Sequence, residues 1–269
     1  MVLHWLIGLA GSSLIAGAAY ARRALSASGA VAAVATGTLM FGFGSLPWYG
    51  LLLYFFFSST VWSKTREHAK REAASGYEKG GRRDAGQVAA NGGLAVALCA
   101  GAFLWPHEAW WAAFLGVMGA VTADTWATEL GGLSPVPPRS IRTGRRVAPG
   151  VSGGVTPLGL AAAAAGALSI GALGVLLAWA DGQPYAFTWI ATAGVGGFLG
   201  ALADSWLGAT WQRMNRCAIC GKEVESGTHC GKATRYARGW RRLNNDAVNA
   251  ISSAIGGLAA LLIAVVPVV

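Results

Sequence analysis

Long apolar blocks separated by short charged segments make up most of this chain. Within the blocks the apolar residues are nearly continuous, so they lack the alternation of a half-buried strand. A helix needs about 20 mostly apolar residues to cross a bilayer, because the hydrocarbon core is about 30 Å thick. The blocks predict eight spanning helices, at 2–20, 29–45, 48–63, 88–105, 109–130, 156–180, 187–212 and 243–267. The predicted fold class is therefore all-α, a polytopic membrane helix bundle formed by a single domain, 1–269.

The composition agrees with this prediction and excludes two other classes. Of the 269 residues, 54% are apolar and 12% are charged, whereas roughly a quarter of an average soluble domain is charged. A disordered polar chain is excluded by the apolar content. A disulfide scaffold is excluded because four cysteines are too few for this length.

The basic residues all fall on alternate connections between the predicted spans. All 21 Lys and Arg lie in the pair Arg22–Arg23 or in the segments 64–87, 131–155 and 213–242. With eight spans, these connections share one side of the membrane. Because Lys- and Arg-rich loops remain cytoplasmic, we expect this side to face the cytoplasm and both termini to lie outside. The Ala- and Gly-rich composition indicates a plasma membrane.

The net charge of +9 also limits the expected partners. Such a charge on one face attracts anionic lipid head groups, nucleotides or phosphates. No soluble domain is predicted that could hold an element for reading nucleic acid, so nucleic acid is not an expected partner. The bilayer itself is the first expected partner.

A short motif with a buried acid occurs twice and forms an internal pseudo-repeat. Ala123-Asp-Thr-Trp126 recurs as Ala203-Asp-Ser-Trp206, on predicted helices that run in the same direction. Small residues precede each Asp at intervals of four, and such rows let helices approach closely. Both acids are therefore expected to point into the bundle, at the same depth and near the basic connections.

Two interpretations of these acids remain open. They can hold the bundle together through hydrogen bonds and ion pairs, or they can bind a divalent cation such as Mg²⁺, which prefers carboxylate and amide oxygens. An isolated charge inside a span costs several kcal/mol, which favours a function. The candidate Mg²⁺ ligands and their supporting polar residues are Asp124, Asp204, Asp246, Glu129, Asn91, Asn245 and Asn249.

The connection 139–156 combines arginines with a glycine-rich segment that precedes a helix. Backbone N–H groups near glycines and at a helix N-terminus attract anions, so this segment is a candidate site for nucleotide phosphates. The alternative is a flexible loop whose arginines only determine topology. The candidate phosphate-binding residues are Arg142, Arg145, Arg146, Gly150, Ser152, Gly153 and Gly154.

Three cysteines and a histidine lie close together in the segment 213–242. They are Cys217, Cys220, His229 and Cys230. The set matches the ligand types of a structural zinc site, although adjacent His and Cys are an unusual second pair. The alternative is a group of reduced thiols without a metal.

Several of these segments also resemble a known family. They match, in order over roughly residues 30–260, the integral membrane family of plant phytyl-phosphate kinases and the transmembrane protein 19 proteins. The matching segments are Gln87–Gly92, Asp124–Gly131, Gly200–Gly208, Cys217–Cys230 and Asn244–Asn249. The loop Pro149–Val155 departs from the Gly-Thr-Asn-Gly-Gly that is more usual in the family, which leaves the nucleotide preference open.

The resemblance implies a kinase that converts an isoprenyl monophosphate, of phytyl or geranylgeranyl type, to the diphosphate with CTP or another nucleoside triphosphate. It implies functional positions at Asn91, Asp124, Glu129, Asp204, Asn245 and Asp246. Phosphoryl transfer depends on positioning and on charge neutralisation by Mg²⁺ and cationic side chains, which suits the candidate residues. An ionised phosphate acceptor needs no general base, in agreement with the lack of a histidine near the acids.

Three alternatives remain. A CTP-dependent cytidylyltransferase acting on a lipid phosphate would use the same groups and break a different bond. A cation or small-solute transporter would also carry intramembrane acids, although transporter sites usually lie near the bilayer midplane, between inverted repeats. A structural membrane protein would not require polar groups at one depth.

Overall fold

The computed structural model describes residues 2–265 and contains nine α-helices within them. Each of the eight predicted spans corresponds to a long helix with ends within three residues of the prediction; the predicted end at 267 lies outside the described residues. A ninth, short helix lies in the basic segment 64–87. The helices are α1 (Val2–Ala21), α2 (Ala27–Phe43), α3 (Leu46–Lys64), α4 (Glu67–Ala74), α5 (Ala85–Leu104), α6 (Glu108–Gly131), α7 (Pro157–Ala180), α8 (Thr188–Thr210) and α9 (Asn245–Val265). The predicted membrane helix bundle is confirmed.

Five of the described helices are long and apolar enough to cross a membrane by length and composition, namely α1, α5, α7, α8 and α9. Helix α2 is apolar but has 17 residues. The 24-residue α6 and the 19-residue α3 are not in this group. Helix α6 lies in the centre of the bundle. All residues from Ala112 to Ala123 are buried, so this stretch contacts protein on every side and presents no surface to lipid.

Small residues allow the helices around α6 to pack at very short range. A Cβ added at Gly116 would lie 2.3 Å from the carbonyl oxygen of Gly256 on α9, and one added at Gly200 on α8 would lie 2.5 Å from the Cβ of Ala120. No larger side chain fits these contacts without a shift of the backbone. The small residues that precede Asp124 and Asp204 therefore form the predicted packing surface.

Local capping signals determine where several helices begin. The Ser26 side chain accepts from the N–H of Gly29 at the start of α2. Asp84 and Gln87 form a capping box at the start of α5, and Thr156, followed by a proline, caps α7. Each cap satisfies N–H groups that lack partners inside the helix.

The basic connections lie at one end of the bundle and contain short strands that the sequence pattern did not predict. This end is called the polar end below and comprises 22–26, 65–84, 132–156 and 211–244. Strands β1 and β2 form a hairpin, β4-β3-β7 form an antiparallel sheet, and β5 pairs with β6. Their bounds are β1 Arg139–Ser140, β2 Gly154–Val155, β3 Met214–Arg216, β4 Glu223–Val224, β5 Thr228–His229, β6 Lys232–Ala233 and β7 Arg235–Arg238.

Candidate functional site

A large polar cavity of about 1240 Å³ opens at the polar end of the bundle. Its walls come from all four basic connections and from the ends of α5, α6, α8 and α9. Most of the predicted site residues line it, although they are far apart in sequence. The predicted residues that line the cavity are Asn91, Asp124, Glu129, Gly150, Ser152, Gly153, Gly154, Asp204, Asn245 and Asn249.

The acids of the repeated motif meet inside this cavity. The side chains of Asp124 and Asp204 lie within hydrogen-bonding contact of each other. The hydroxyl of Ser252 on α9 donates to Oδ2 of Asp204 over 3.0 Å. This contact agrees with the equal depth that the sequence predicted for the two acids. It forms because α6 and α8 pack closely at the glycines that precede each Asp. Asp124 and Asp204 are called the acid pair below.

A third acid, Glu225, reaches the same place from the connection between α8 and α9. Its side chain is buried and close enough to interact electrostatically with both members of the acid pair. Ser152 donates to Oε1 of Glu225 over 2.7 Å. Sequence reasoning missed Glu225 because it lies in a loop outside every predicted span. Its position between the two halves of the Cys/His cluster was the signal that could have identified it.

Burial of Glu225 changes its acid–base behaviour. Desolvation raises the pKa of its carboxyl group above the usual value, although hydrogen bonds from Ser152 and from the backbone N–H of Glu78 oppose the rise. A carboxylate in such surroundings is stabilised by a nearby cation. The three acids together form a cluster of carboxyl groups on the cavity wall.

The predicted catalytic residue Glu129 lines the cavity but already has a basic partner. Lys70 of α4 forms an ion pair with Glu129 and donates to the backbone oxygens of Trp62 and Ser63. The Ser63 hydroxyl donates to the other carboxylate oxygen over 2.6 Å. The side chain of Lys70 is only 8% exposed. This arrangement attaches α4 to the ends of α3 and α6.

Asp246, predicted as a Mg²⁺ ligand beside Asp124 and Asp204, is not among the residues that line the cavity. It lies in the first turn of α9, where its Oδ2 is 2.5 Å from Nζ of Lys79. Lys79 also contacts Asp84, 2.9 Å away. The structure therefore places Asp246 in an ion-pair group at the start of α5, whereas the acid pair lies beside Glu225; the three-aspartate Mg²⁺ set stays a prediction.

The predicted phosphate-binding arginines lie outside the cavity. Arg142, Arg145 and Arg146 are exposed on the β1–β2 hairpin, in which Gly144 has φ +69°, and none of them lines the cavity. Among the described residues, the basic side chains that line the cavity come mainly from the segment 64–87, in which the sequence had indicated no individual phosphate-binding residue. They are Arg22, Arg23, Lys64, Lys70, Lys79, Arg82 and Arg83.

The glycine-rich segment lies against α8 close to the acid pair. Gly153 has φ +79°, and a Cβ at this position would lie 2.4 Å from the Cβ of Ala209 and 2.6 Å from the carbonyl oxygen of Ser205. Only glycine adopts this conformation at such short range without strain. The segment thus forms the cavity wall one helical turn beyond Asp204.

A second, apolar cavity of about 70 Å³ adjoins the polar one among α1, α2, α3 and α5. Its lining is mostly apolar and includes Ala33 and Phe56. Arg83, Gln87 and Asn91 line both cavities. The Arg83 guanidinium lies 5.6 Å from the centre of the Phe56 ring, so a cationic group lies at the boundary between the two cavities.

The predicted Cys/His cluster is brought together by the fold. One ligand atom from each of Cys217, Cys220, His229 and Cys230 lies within 4.8 Å of all the others. Hydrogen bonds from the backbone of Cys220 and from His229 lower the pKa of the Cys217 thiol to about 6. The thiolate, which is the form that binds metals, is therefore favoured near neutral pH.

The fold and the cavity define a class: an integral, multi-pass membrane protein with buried acids beneath a basic polar end. The chain belongs to a family described as integral membrane protein DUF92, whose pattern matches residues 10–257. It is 32% identical to Protein PGR of Arabidopsis thaliana over 261 residues, covering 90% of this chain and 89% of the relative. It is also 32% identical to an uncharacterized membrane protein of Methanocaldococcus jannaschii, over 56% of this chain and 50% of the relative. No solved structure matches the chain.

Proposed function

We propose that this protein is a membrane-embedded kinase that phosphorylates an isoprenyl monophosphate, of phytyl or geranylgeranyl type, with a nucleoside triphosphate as donor. One observation carries the proposal. The polar cavity, with its acid pair and its basic wall, shares Arg83, Gln87 and Asn91 with an apolar cavity. A substrate with a phosphate head and an apolar tail matches this junction chemically.

The acids of the polar cavity would hold the metal in this proposal. Asp124, Asp204 and Glu225 present carboxylate oxygens, which are the ligands that Mg²⁺ prefers. When bound, Mg²⁺ neutralises charge on the phosphates of the donor. The basic residues that line the cavity, among them Arg82 and Arg83, add positive potential, and the Gly150–Gly154 segment offers backbone to a phosphate.

The reaction requires little acid–base chemistry from the protein. An oxygen of the acceptor monophosphate forms a bond to the γ-phosphorus of the donor. The bond from that phosphorus to the β–γ bridging oxygen breaks, and the nucleoside diphosphate leaves with the electron pair. Because the acceptor phosphate is largely ionised near neutral pH, no histidine is needed to take a proton.

The product of turnover tests the proposal directly. The full chain, purified in detergent, is incubated with Mg²⁺, each nucleoside triphosphate and geranylgeranyl phosphate, and products are identified by mass spectrometry. We expect geranylgeranyl diphosphate and the nucleoside diphosphate, and no product from geranylgeraniol, which lacks an ionised acceptor. Pyrophosphate with a CDP-linked lipid would show cytidylyl transfer instead, and no turnover with any donor would overturn the enzyme proposal.

The apolar cavity would bind the part of the prenyl chain nearest the phosphate, while the rest of the tail lies in the bilayer. Ala33→Phe adds a large ring to this cavity, so we expect the KM for geranylgeranyl phosphate to rise about tenfold, or about 1.4 kcal/mol, with the KM for the nucleotide unchanged. Val31→Phe is the matched control, because Val31 is 72% exposed on the same helix. Equal effects of both variants would contradict the assignment of the tail.

The transporter alternative receives less support. Gly116, Gly196 and Gly256 bring α6, α8 and α9 into contact at the level below the acid pair, as expected of a closed bundle.

We propose that the polar end faces the cytoplasm, where nucleoside triphosphates occur. A cysteine introduced at Arg145 should then react with impermeant thiol reagents only from the cytoplasmic side, above the background from Cys220 and Cys230. Reaction only from the opposite side would reverse the orientation.

A further inference from the structure

The Cys/His cluster lies in the connection between α8 and α9, apart from the acid pair. We infer that Cys217, Cys220, His229 and Cys230 bind one Zn²⁺ ion and that this ion holds Glu225 in the polar cavity. The inference concerns a structural metal site, and its test does not depend on the proposed kinase activity.

The spacing of the ligand atoms suits tetrahedral zinc. Nδ1 of His229 lies 3.4 Å from Sγ of Cys220 and 3.3 Å from Sγ of Cys230. Bonds of about 2.3 Å to sulfur and about 2.0 Å to nitrogen place an S–N pair about 3.5 Å apart at the tetrahedral angle. All four ligand atoms lie within 4.8 Å of one another, so small movements complete the set.

Two tight turns present the ligands from opposite sides. The first joins β3 to β4, and in it the N–H of Gly221 donates to the carbonyl oxygen of Cys217 over 3.0 Å, with Gly221 at φ +72°. The second joins β5 to β6: His229 is the last residue of β5, and Cys230 follows it in the turn. Four protein ligands close the coordination sphere and leave no position for substrate, which is typical of a structural site.

The segment that carries the cluster needs such a site to stay folded. Its strands have two to four residues each, and strands this short are marginally stable on their own. The apolar residues buried here are few, chiefly Met214 and Val224. A bound metal supplies folding free energy where a small core cannot.

Glu225 lies on the stretch that connects the two ligand turns. It follows β4 directly and precedes His229 by four residues. The N–H of Glu225 donates to the carbonyl oxygen of Gly76 over 2.8 Å. The side-chain amide of Asn215 donates to the carbonyl oxygen of Glu225 over 3.1 Å. A metal that joins the two turns fixes both ends of this stretch, and with it the side chain that faces the acid pair.

Metal analysis of the full chain tests the ligand set. The protein is purified anaerobically in detergent from zinc-supplemented cells, and zinc is measured by mass spectrometry. We expect about one zinc per chain in wild type and less than about a tenth in Cys220→Ser. Cys99→Ala, which changes a thiol buried in the bundle, and Glu225→Gln should both keep the metal. Wild type without zinc, or Cys220→Ser with a full equivalent, would overturn the site.

Hydrogen exchange tests the link to Glu225. After removal of zinc with a chelator, we expect the peptide containing residues 223–226 to exchange at least about tenfold faster, because the bond from Glu225 to Gly76 opens. The peptide covering Ala112–Ala123 should keep its rate, since it lies in the centre of the bundle. Unchanged exchange at 223–226 would show that the metal does not hold Glu225.

Discussion

The four acids that the sequence predicted at the site fall into two groups with different surroundings. Glu129 and Asp246 each contact a lysine, Lys70 and Lys79 respectively. The acid pair instead faces another acid, Glu225, and the hydroxyl of Ser252. Lys70 balances the charge of Glu129, whereas Lys79 is shared between Asp246 and Asp84. Two carboxylates in contact repel each other unless a cation or a proton lies between them.

This difference separates structural acids from candidate functional ones. The Lys70–Glu129 pair joins α4 to α3 and α6. The pairs of Lys79 join the loop before α5 to α9. Both groups therefore hold the cavity walls in place. The acid pair connects α6 and α8 at the base of the cavity. The proposed metal would supply there the positive charge that lysines supply to the other acids.

The largest effect is expected from Asp204→Asn, which keeps the shape of the side chain and removes a negative charge. If Asp204 binds Mg²⁺, turnover should fall at least about a thousandfold, equivalent to about 4 kcal/mol of transition-state stabilisation. The protein should stay folded and become equally or more stable, because a neutral amide is easier to bury than a carboxylate. The measurement is turnover across a Mg²⁺ titration, with thermal unfolding in detergent in parallel.

Asp246→Asn is the control that tests the difference between the lysine-paired acids and the acid pair. Because Asp246 contacts Lys79 and does not line the cavity, its substitution should lower stability and leave most of the turnover. A loss of turnover as large as that of Asp204→Asn would return Asp246 to the metal set. Wild-type turnover and Mg²⁺ dependence in Asp204→Asn would instead remove the acid pair from the site.

The sequence predicted well those features that depend on periodicity. The spans followed from apolar length, and the contact between Asp124 and Asp204 followed from small residues at intervals of four. Asn91, Asn245 and Asn249, which the sequence offered as supporting polar residues, line the same cavity as the acid pair. These predictions succeeded because helix geometry converts sequence spacing directly into depth and direction.

Predictions about the connections were less successful, because loop conformation depends on tertiary contacts. The glycine-rich segment lines the cavity near the acids, but Arg142, Arg145 and Arg146 are exposed on the β1–β2 hairpin and do not line it. Lys79 and Glu225 enter the cavity from segments without a periodic pattern. Asp246 lies in the first turn of α9, where its side chain contacts Lys79, a partner that the sequence spacing does not indicate.

An intermediate effect is expected from Lys70→Met. This substitution leaves the Glu129 carboxylate, whose side chain is 22% exposed, without its ion-pair partner. Breaking a fully buried pair costs about 3–5 kcal/mol, and partial exposure reduces this to about 2 kcal/mol. Thermal unfolding in detergent should show the loss, and adding Glu129→Gln should recover at least half of it. A double variant no more stable than Lys70→Met would show that Lys70 acts through packing alone.

The smallest effect concerns Asp84, which caps α5 and contacts Lys79. Burial raises the pKa of Asp84, but hydrogen bonds from the Gln87 N–H and from Lys79 outweigh it, so the pKa is lowered overall. A lowered pKa contributes stability above the unfolded pKa of about 3.9 that is lost as pH falls through the folded value. Asn preserves the cap, so Asp84→Asn should lower stability at pH 7 by at most about 1 kcal/mol. Unfolding curves of the two proteins should therefore converge as pH falls from 5 towards 3, whereas a constant difference would assign the effect to altered capping.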